Sequence, residues 1–164
     1  RMVMNSWKDG GISNLPWMHP EVTDAVRDAI ALRYRLMPYL WTCFERAAQR
    51  HEPIIRPTFF NFPHDAQCLE DCDEFMLGQS ILVSPVLTQG QREKRVYLPQ
   101  LPEARCWVDF QTHERLASGA WHTVATPLAH LPMFVVEGAQ VEVASPLPGQ
   151  LPRHDDPVSD ILHF

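Results

Sequence analysis

Acid–base chemistry at a neutral substrate needs carboxyl groups in pairs. In this 164-residue chain the acids to consider are Glu52, Asp65, Glu70, Asp71, Asp73, Glu74 and Asp109. Two carboxyls held close together can divide the roles of nucleophile and proton donor. These acids, however, fall between turn-forming prolines and glycines, where Asp and Glu read as turn caps and solvated faces. A metal site can be drawn from Cys68 and Cys72 with His64 and Asp73. A three-residue gap is common by chance and no second cysteine pair completes it, so an ordinary loop is the better reading and no metal or cofactor is expected. The eight histidines are scattered, and no pair has the helical spacing of a zinc site.

Charge and composition narrow the partners. A formal net charge of −6, with no run of basic residues longer than a pair, offers no footprint for nucleic acid or an anionic membrane surface. No apolar run approaches the roughly 20 residues that span a bilayer, and no signal-peptide pattern opens the chain. A neutral or polar ligand fits this balance. The four cysteines sit at irregular spacings and read as reduced thiols, which points to a cytoplasmic location. Both ends read as interior to a longer chain: "RMVMNSW" opens on a strand-like run, and "DDPVSDILHF" closes where an alternating segment has just begun.

The elements that must position any site divide into zones. Arg1 to Trp7 reads as a short buried strand, and Lys8 to Pro20 as a loop too long to be a mere connector. Val22, Val26, Ile30, Tyr34, Met37, Trp41 and Phe44 recur at spacings of three and four, which predicts one long helix to about Arg50, with Thr23 as its N-cap. Pro38 should bend that helix near Tyr34 to Pro38 without dividing it into two joined by a loop. From Glu52 onward, "PIIRPTFFNF", "SILVSPVL", "KRVYLP", "RCWVDF", "WHTVATPL" and "MFVVEGAQVEV" are short β-prone runs that predict an antiparallel β-sandwich. The proline-rich stretch after Ser145 reads as a linker.

Several of these strings carry a resemblance. "LRYRLMPYLW", "EPIIRPTFFNFP", "DEFMLGQSILVSPVL", "VYLP", "WVDFQT" and "PLAHLPMFVVEGA" resemble, in order and spacing, the C-terminal part of glycoside hydrolase family 31, the retaining α-glucosidases and α-xylosidases. The resemblance covers nearly the whole chain and implies an α+β fragment. Residues 1–51 would supply the last strand, loop and kinked helix of a (β/α)8 barrel, residues 52–145 the proximal antiparallel β-sandwich, and residues 146–164 a linker and the start of a truncated distal segment. The helix then lies on the barrel's outer flank, so Arg33, Tyr34 and Arg35 read as structural.

Barrel active sites lie at the C-terminal ends of the strands, which makes Asn5, Ser6, Trp7 and Asp9 the expected substrate-binding residues. The family usually carries a histidine, hydrogen-bonded to hydroxyls of the sugar, where this sequence has Asn5. Asparagine can still donate and accept toward a sugar diol, but it is shorter and uncharged. Trp7 could stack on a sugar ring or serve packing, and Trp17 reads as a loop anchor. The family's catalytic aspartates stand in motifs such as Trp-x-Asp-Met-Asn-Glu, and no such motif occurs here. The expected chain is therefore part of an α-glycosidase acting on an oligosaccharide or α-glycoside, inactive alone and open to self-association through its helix. Two alternatives remain open. The sandwich could be a carbohydrate-binding module using Trp107, Tyr97 or Trp121 as stacking platforms, or a scaffold touching no ligand; exposed, coplanar aromatics favour the first and buried ones the second.

Overall fold

The computed structural model describes residues 18–70, 73–145, 158 and 160–164. The expected first strand, Arg1 to Trp7, and the loop through Trp17 lie outside the described residues. A short 3-10 turn, Pro20–Val22, leads into helix α1, Thr23–Arg35, and helix α2, Met37–Arg50. Thr23 is not the cap expected from the sequence. Pro20 opens the helical path three residues earlier, so Thr23 is already helical and its Oγ1 donates back to the His19 carbonyl at 3.2 Å.

The bend falls at a single residue, Leu36, with φ −82° and ψ 4°. Hydrogen bonding continues across it: Leu36 N donates to Leu32 O at 3.0 Å, and Leu40 N to Leu36 O at 2.9 Å. Pro38 therefore stands in the first turn of α2, where its missing N–H would have had no intrahelical partner anyway. The ladder loses little there. Leu36, Tyr39 and Cys43 share one face of the helix and are buried. His51 closes α2 in the left-handed region, φ 59°, with its N–H on the Ala47 carbonyl.

The strands that follow are β1 Ile55–Pro57, β2 Phe75–Leu77, β3 Ile81–Val83, β4 Glu93–Leu98 and β5 Cys106–Asp109. After them come β6 Arg115–Ala117, β7 Ala120–Ala125, β8 Met133–Val136, β9 Gln140–Val143 and β10 Asp160–His163. Two expected runs are divided. Pro57 cannot donate to a ladder, and beyond it Thr58–Asn61 coils into a short helix, α3, instead of continuing the strand. "MFVVEGAQVEV" breaks at Gly138, whose φ of +80° suits glycine.

Six strands form an antiparallel sheet in the order β1-β2-β3-β8-β5-β6, while β4–β7 and β9–β10 form two-stranded ribbons. Alternation along β3 and β8 sends side chains to two separate cores. Ile81, Val83, Met133 and Val135 meet Leu36, Tyr39 and Cys43 of the helix together with Val141 and Val143 of β9. Leu82 and Phe134 face the other way and join Met76, Trp107 and, from β4, Val96 and Leu98. The central sheet is thus covered by α2 and β9 on one side and by the β4–β7 ribbon on the other.

The segment expected as linker and distal start ends in a strand of the same layer. Leu162 pairs with Val141, and the Phe164 ring stacks on Phe110 at 5.4 Å. Hydrogen bonds then lock the helix to the sheet. Tyr39 Oη donates to the Leu77 carbonyl at 2.8 Å and accepts from Ser80 N at 3.4 Å, and Thr42 Oγ1 donates to Glu142 at 2.8 Å. Between them, Gly78 has φ +64°, and a Cβ placed there would lie 2.6 Å from both Cys43 Sγ and Tyr39 Oη. Close approach of the helix to the β2–β3 turn requires glycine at that point.

Candidate functional site

The expected pocket residues Asn5, Ser6, Trp7 and Asp9 lie outside the described residues, as does Trp17. On the described side, an open cleft of about 440 Å³ lies where the end of α2, β1 and α3 meet the sandwich loops. Its polar wall is built around Arg56, which β1 carries inward and which is buried. Arg56 Nε donates to the Pro53 carbonyl at 2.8 Å and Nη1 to Asn61 Oδ1 at 3.3 Å, while Nη2 stands 3.7 Å from Glu52. The guanidinium also lies 5.2 Å from the Phe60 ring centroid. Gln79 Nε2 donates to Glu52 at 3.1 Å, and Arg105 stands on the cleft wall.

Chemically, this cleft can hold polar groups against an aromatic wall. Glu52 is the one carboxylate among its lining residues, so it has no second acid within it to complete a retaining pair. The cleft was not legible as a unit in the sequence. Its sole signal was an arginine inside an apolar run, "IIRP", which an inward-facing strand position requires to be paired.

The remaining acids hold turns and loops together. Asp65 accepts from Gln67 N at 3.1 Å, from Gln100 N at 2.9 Å and from Tyr97 Oη at 2.9 and 3.0 Å. Asp109 accepts from Gln111 N at 2.9 Å and Thr112 N at 2.8 Å, and His130 Nε2 lies 3.3 Å from its other oxygen. Caps were expected for both, although Asp109 is buried and not solvated. Glu74 also departs from a solvated reading. It is buried with Lys94, accepts from Ser84 Oγ at 2.8 Å and lies 3.8 Å from the ammonium, which donates to the Pro85 carbonyl at 2.6 Å and pairs with Asp73 at 3.3 Å. Strand alternation turns Lys94 inward between Glu93 and Arg95, and buried charges must then be paired.

The three aromatics considered as platforms are separated by burial. Trp107 is fully buried, and its Nε1 donates to the Pro99 carbonyl at 2.9 Å, so it serves the core. Tyr97 and Trp121 stand opposite each other across β4 and β7 on the outward face, with ring centroids 5.4 Å apart and planes tilted by 55°. Burial, and then the Asp65 carboxylate accepting its hydroxyl, push the Tyr97 pKa up to about 12. Among the described residues no cluster of His, Cys, Asp and Glu has the arrangement of a metal site. Cys43 and Cys68 are buried thiols, and burial pushes that of Cys43 up.

Comparison with known proteins adds two matches in chain order. Residues 51–141 match the model of the glycosyl hydrolase family 31 C-terminal domain, and residues 1–43 match that of the family 31 TIM-barrel domain. Alpha-glucosidase 2 of Bacillus thermoamyloliquefaciens is 32% identical over 127 residues, which are 77% of this chain and 16% of that protein. The alpha-xylosidase of Saccharolobus solfataricus is 34% identical over 125 residues, 76% of this chain and 17% of that one. Among solved structures, a family 31 dextranase of Flavobacterium johnsoniae, complexed with glucose, aligns with a TM-score of 0.72 and 34% identity over 78% of this chain and 16% of its own. An α-xylosidase from a soil metagenome, complexed with xylose, aligns with a TM-score of 0.72 and 34% identity over 81% and 20%. The chain spans about a sixth of the length of these two curated relatives.

Proposed function

The chain belongs to glycoside hydrolase family 31, and from that premise we propose that it is the C-terminal portion of a retaining α-glycosidase that hydrolyses O-glycosyl bonds of oligosaccharides or α-glycosides. The observation that carries this reading is the pair of adjacent family matches. The barrel match ends at residue 43, inside α2, and the C-terminal match begins at residue 51, just beyond it. One helix thus joins the two. Residues of α2 and β9 fix that helix to the sandwich, so a barrel whose last helix is α1–α2 would be anchored from outside, away from its strand ends.

In this reading Asn5, Ser6, Trp7 and Asp9 contribute to the sugar pocket at the end of the last barrel strand. The nucleophile and the acid/base aspartate come from earlier strands, because neither the sequence nor the described cleft supplies two paired carboxyls. Asn5 would take one or two sugar hydroxyls through its amide, and Trp7 would offer a ring face. The working compartment proposed is the cytoplasm, where a buried thiol such as Cys43 stays reduced.

The test compares hydrolysis of p-nitrophenyl α-glucoside, α-xyloside and α-galactoside by this chain and by a longer chain extended N-terminally from the same gene. Turnover is expected only in the longer chain, and Asn5→Ala in it should raise KM or lower kcat by about tenfold or more, the worth of one or two lost hydrogen bonds. Turnover by the 164-residue chain itself would overturn the reading.

A further inference from the structure

We propose that the outward face of the β4–β7 ribbon, centred on Trp121, Tyr97 and Arg95, is a binding site for a neutral α-linked oligosaccharide, separate from any pocket at Asn5. The ribbon turns Lys94, Val96 and Leu98 into the core, which leaves Glu93, Arg95 and Tyr97 on the opposite face. Register places Tyr97 across from Trp121 and Arg95 across from Thr123. Trp121 is 41% exposed, whereas Trp107 of the neighbouring sheet is fully buried. The ring is in contact with Tyr97 and Arg95 on that face and still presents part of its surface to solvent.

The group is held in place by more than chance contact. The Tyr97 hydroxyl is fixed by both oxygens of Asp65, which is fixed in turn by Gln67 N and Gln100 N. The Arg95 guanidinium lies 4.4 Å from the Trp121 ring centroid. Among the described residues it has no carboxylate or carbonyl partner, so its planar N–H groups are oriented by the indole and not consumed. The guanidinium covers one face of the indole, so a pyranose would meet the part of Trp121 that stays exposed with its C–H groups and the Arg95 N–H groups with its vicinal hydroxyls.

Other occupants fit less well. An anion would meet Glu93 on the same strand face and Asp65 behind Tyr97. A stable protein partner needs about 800 Å² on each side, whereas each aromatic ring supplies at most about 250 Å². The choice of α-linked probes rests on the function proposed above, but the two readings are measured separately: hydrolysis by the longer chain does not require this face, and binding here does not require catalysis.

The experiment is an NMR titration of the 164-residue chain with maltotriose and with isomaltotriose, following the indole N–H signals. A saturable shift of the Trp121 signal is expected, with a dissociation constant of the order of 1 mM. Trp121→Ala should weaken binding at least tenfold and Arg95→Ala severalfold. Trp121→Phe, which keeps a ring and guards against a folding artefact, should retain most of it. Trp41→Ala, on the far helix, should change nothing. Absence of a saturable shift with either sugar would overturn the proposal, as would saturable binding that Trp121→Ala leaves intact.

Discussion

A hydroxyl buried between two elements is worth most when it serves both, and Tyr39 Oη meets the Leu77 carbonyl and the Ser80 amide at once. Removing it strands one acceptor and one donor beneath the helix. Tyr39→Phe should therefore cost about 1 to 2 kcal/mol in urea unfolding at neutral pH, more than the mean value of a single solvent-exchanged hydrogen bond. The same residue sets an alkaline limit. Burial first, and the neighbouring Cys43 next, raise the Tyr39 pKa above its ordinary 10.0. A group whose folded pKa lies above its unfolded one contributes stability that is complete below the unfolded value and is lost as pH rises beyond it. Stability should thus fall from about pH 10 upward, and Tyr39→Phe should flatten that fall; an identical alkaline slope in the variant would assign it to other groups. The apolar stripe read from the sequence runs through Trp41 and Phe44, which are exposed, and passes by Tyr39, which is buried. That its hydroxyl reaches 38 residues along the chain depends on Gly78, whose missing Cβ lets the helix approach.

Helices α1 and α2 show how far periodicity reads and where it stops. The apolar spacing foretold one helical path to Arg50 with a bend near Pro38, and the two helices separated by Leu36 answer to it. The position of proline within the turn decides its energetic meaning. In a helix interior its removal should stabilise by about 3 kcal/mol, whereas in the first turn of α2 it strands no donor, and its fixed φ restricts the unfolded chain. Pro38→Ala should consequently change stability by less than about 1 kcal/mol, in the destabilising direction. A gain of about 2 kcal/mol or more in urea melts would show that the proline forces the break at Leu36. The β-runs were legible through their β-branched and aromatic residues set between prolines and glycines. Their partners were not, because the order β1-β2-β3-β8-β5-β6 is set by which faces find cover and not by any local signal. Trp107 and Trp121 occupy equally strand-like surroundings, yet one lies in the layer between the central sheet and the β4–β7 ribbon and the other on the ribbon's outer face. The cleft was illegible for a related reason: Glu52, Gln79 and Arg105 are brought together only by the loops.

For the whole molecule, the question is what covers the apolar surface of the helical path α1–α2. The sandwich answers half of it by burying Leu36, Tyr39 and Cys43, so the helix folds onto its own chain. The other half is an edge of α2 on which Trp41 and Phe44 stack at 5.4 Å, Phe44 remaining 52% exposed. In the longer glycosidase proposed above, barrel segments would cover such an edge, whereas here Phe44 is exposed. Two rings fall well short of the roughly 800 Å² per partner that a stable dimer buries. The 164-residue chain should accordingly scatter light as a monomer while binding a hydrophobic dye, and Phe44→Glu should lower that binding severalfold without loss of stability, because the side chain is exposed. The longer chain, with the edge covered, should bind less dye per molecule than the 164-residue chain. A stable dimer abolished by Phe44→Glu would instead make this edge a self-association surface, the outcome that the helix's apolar stripe alone had suggested, and would mean that paired copies replace the barrel as its cover.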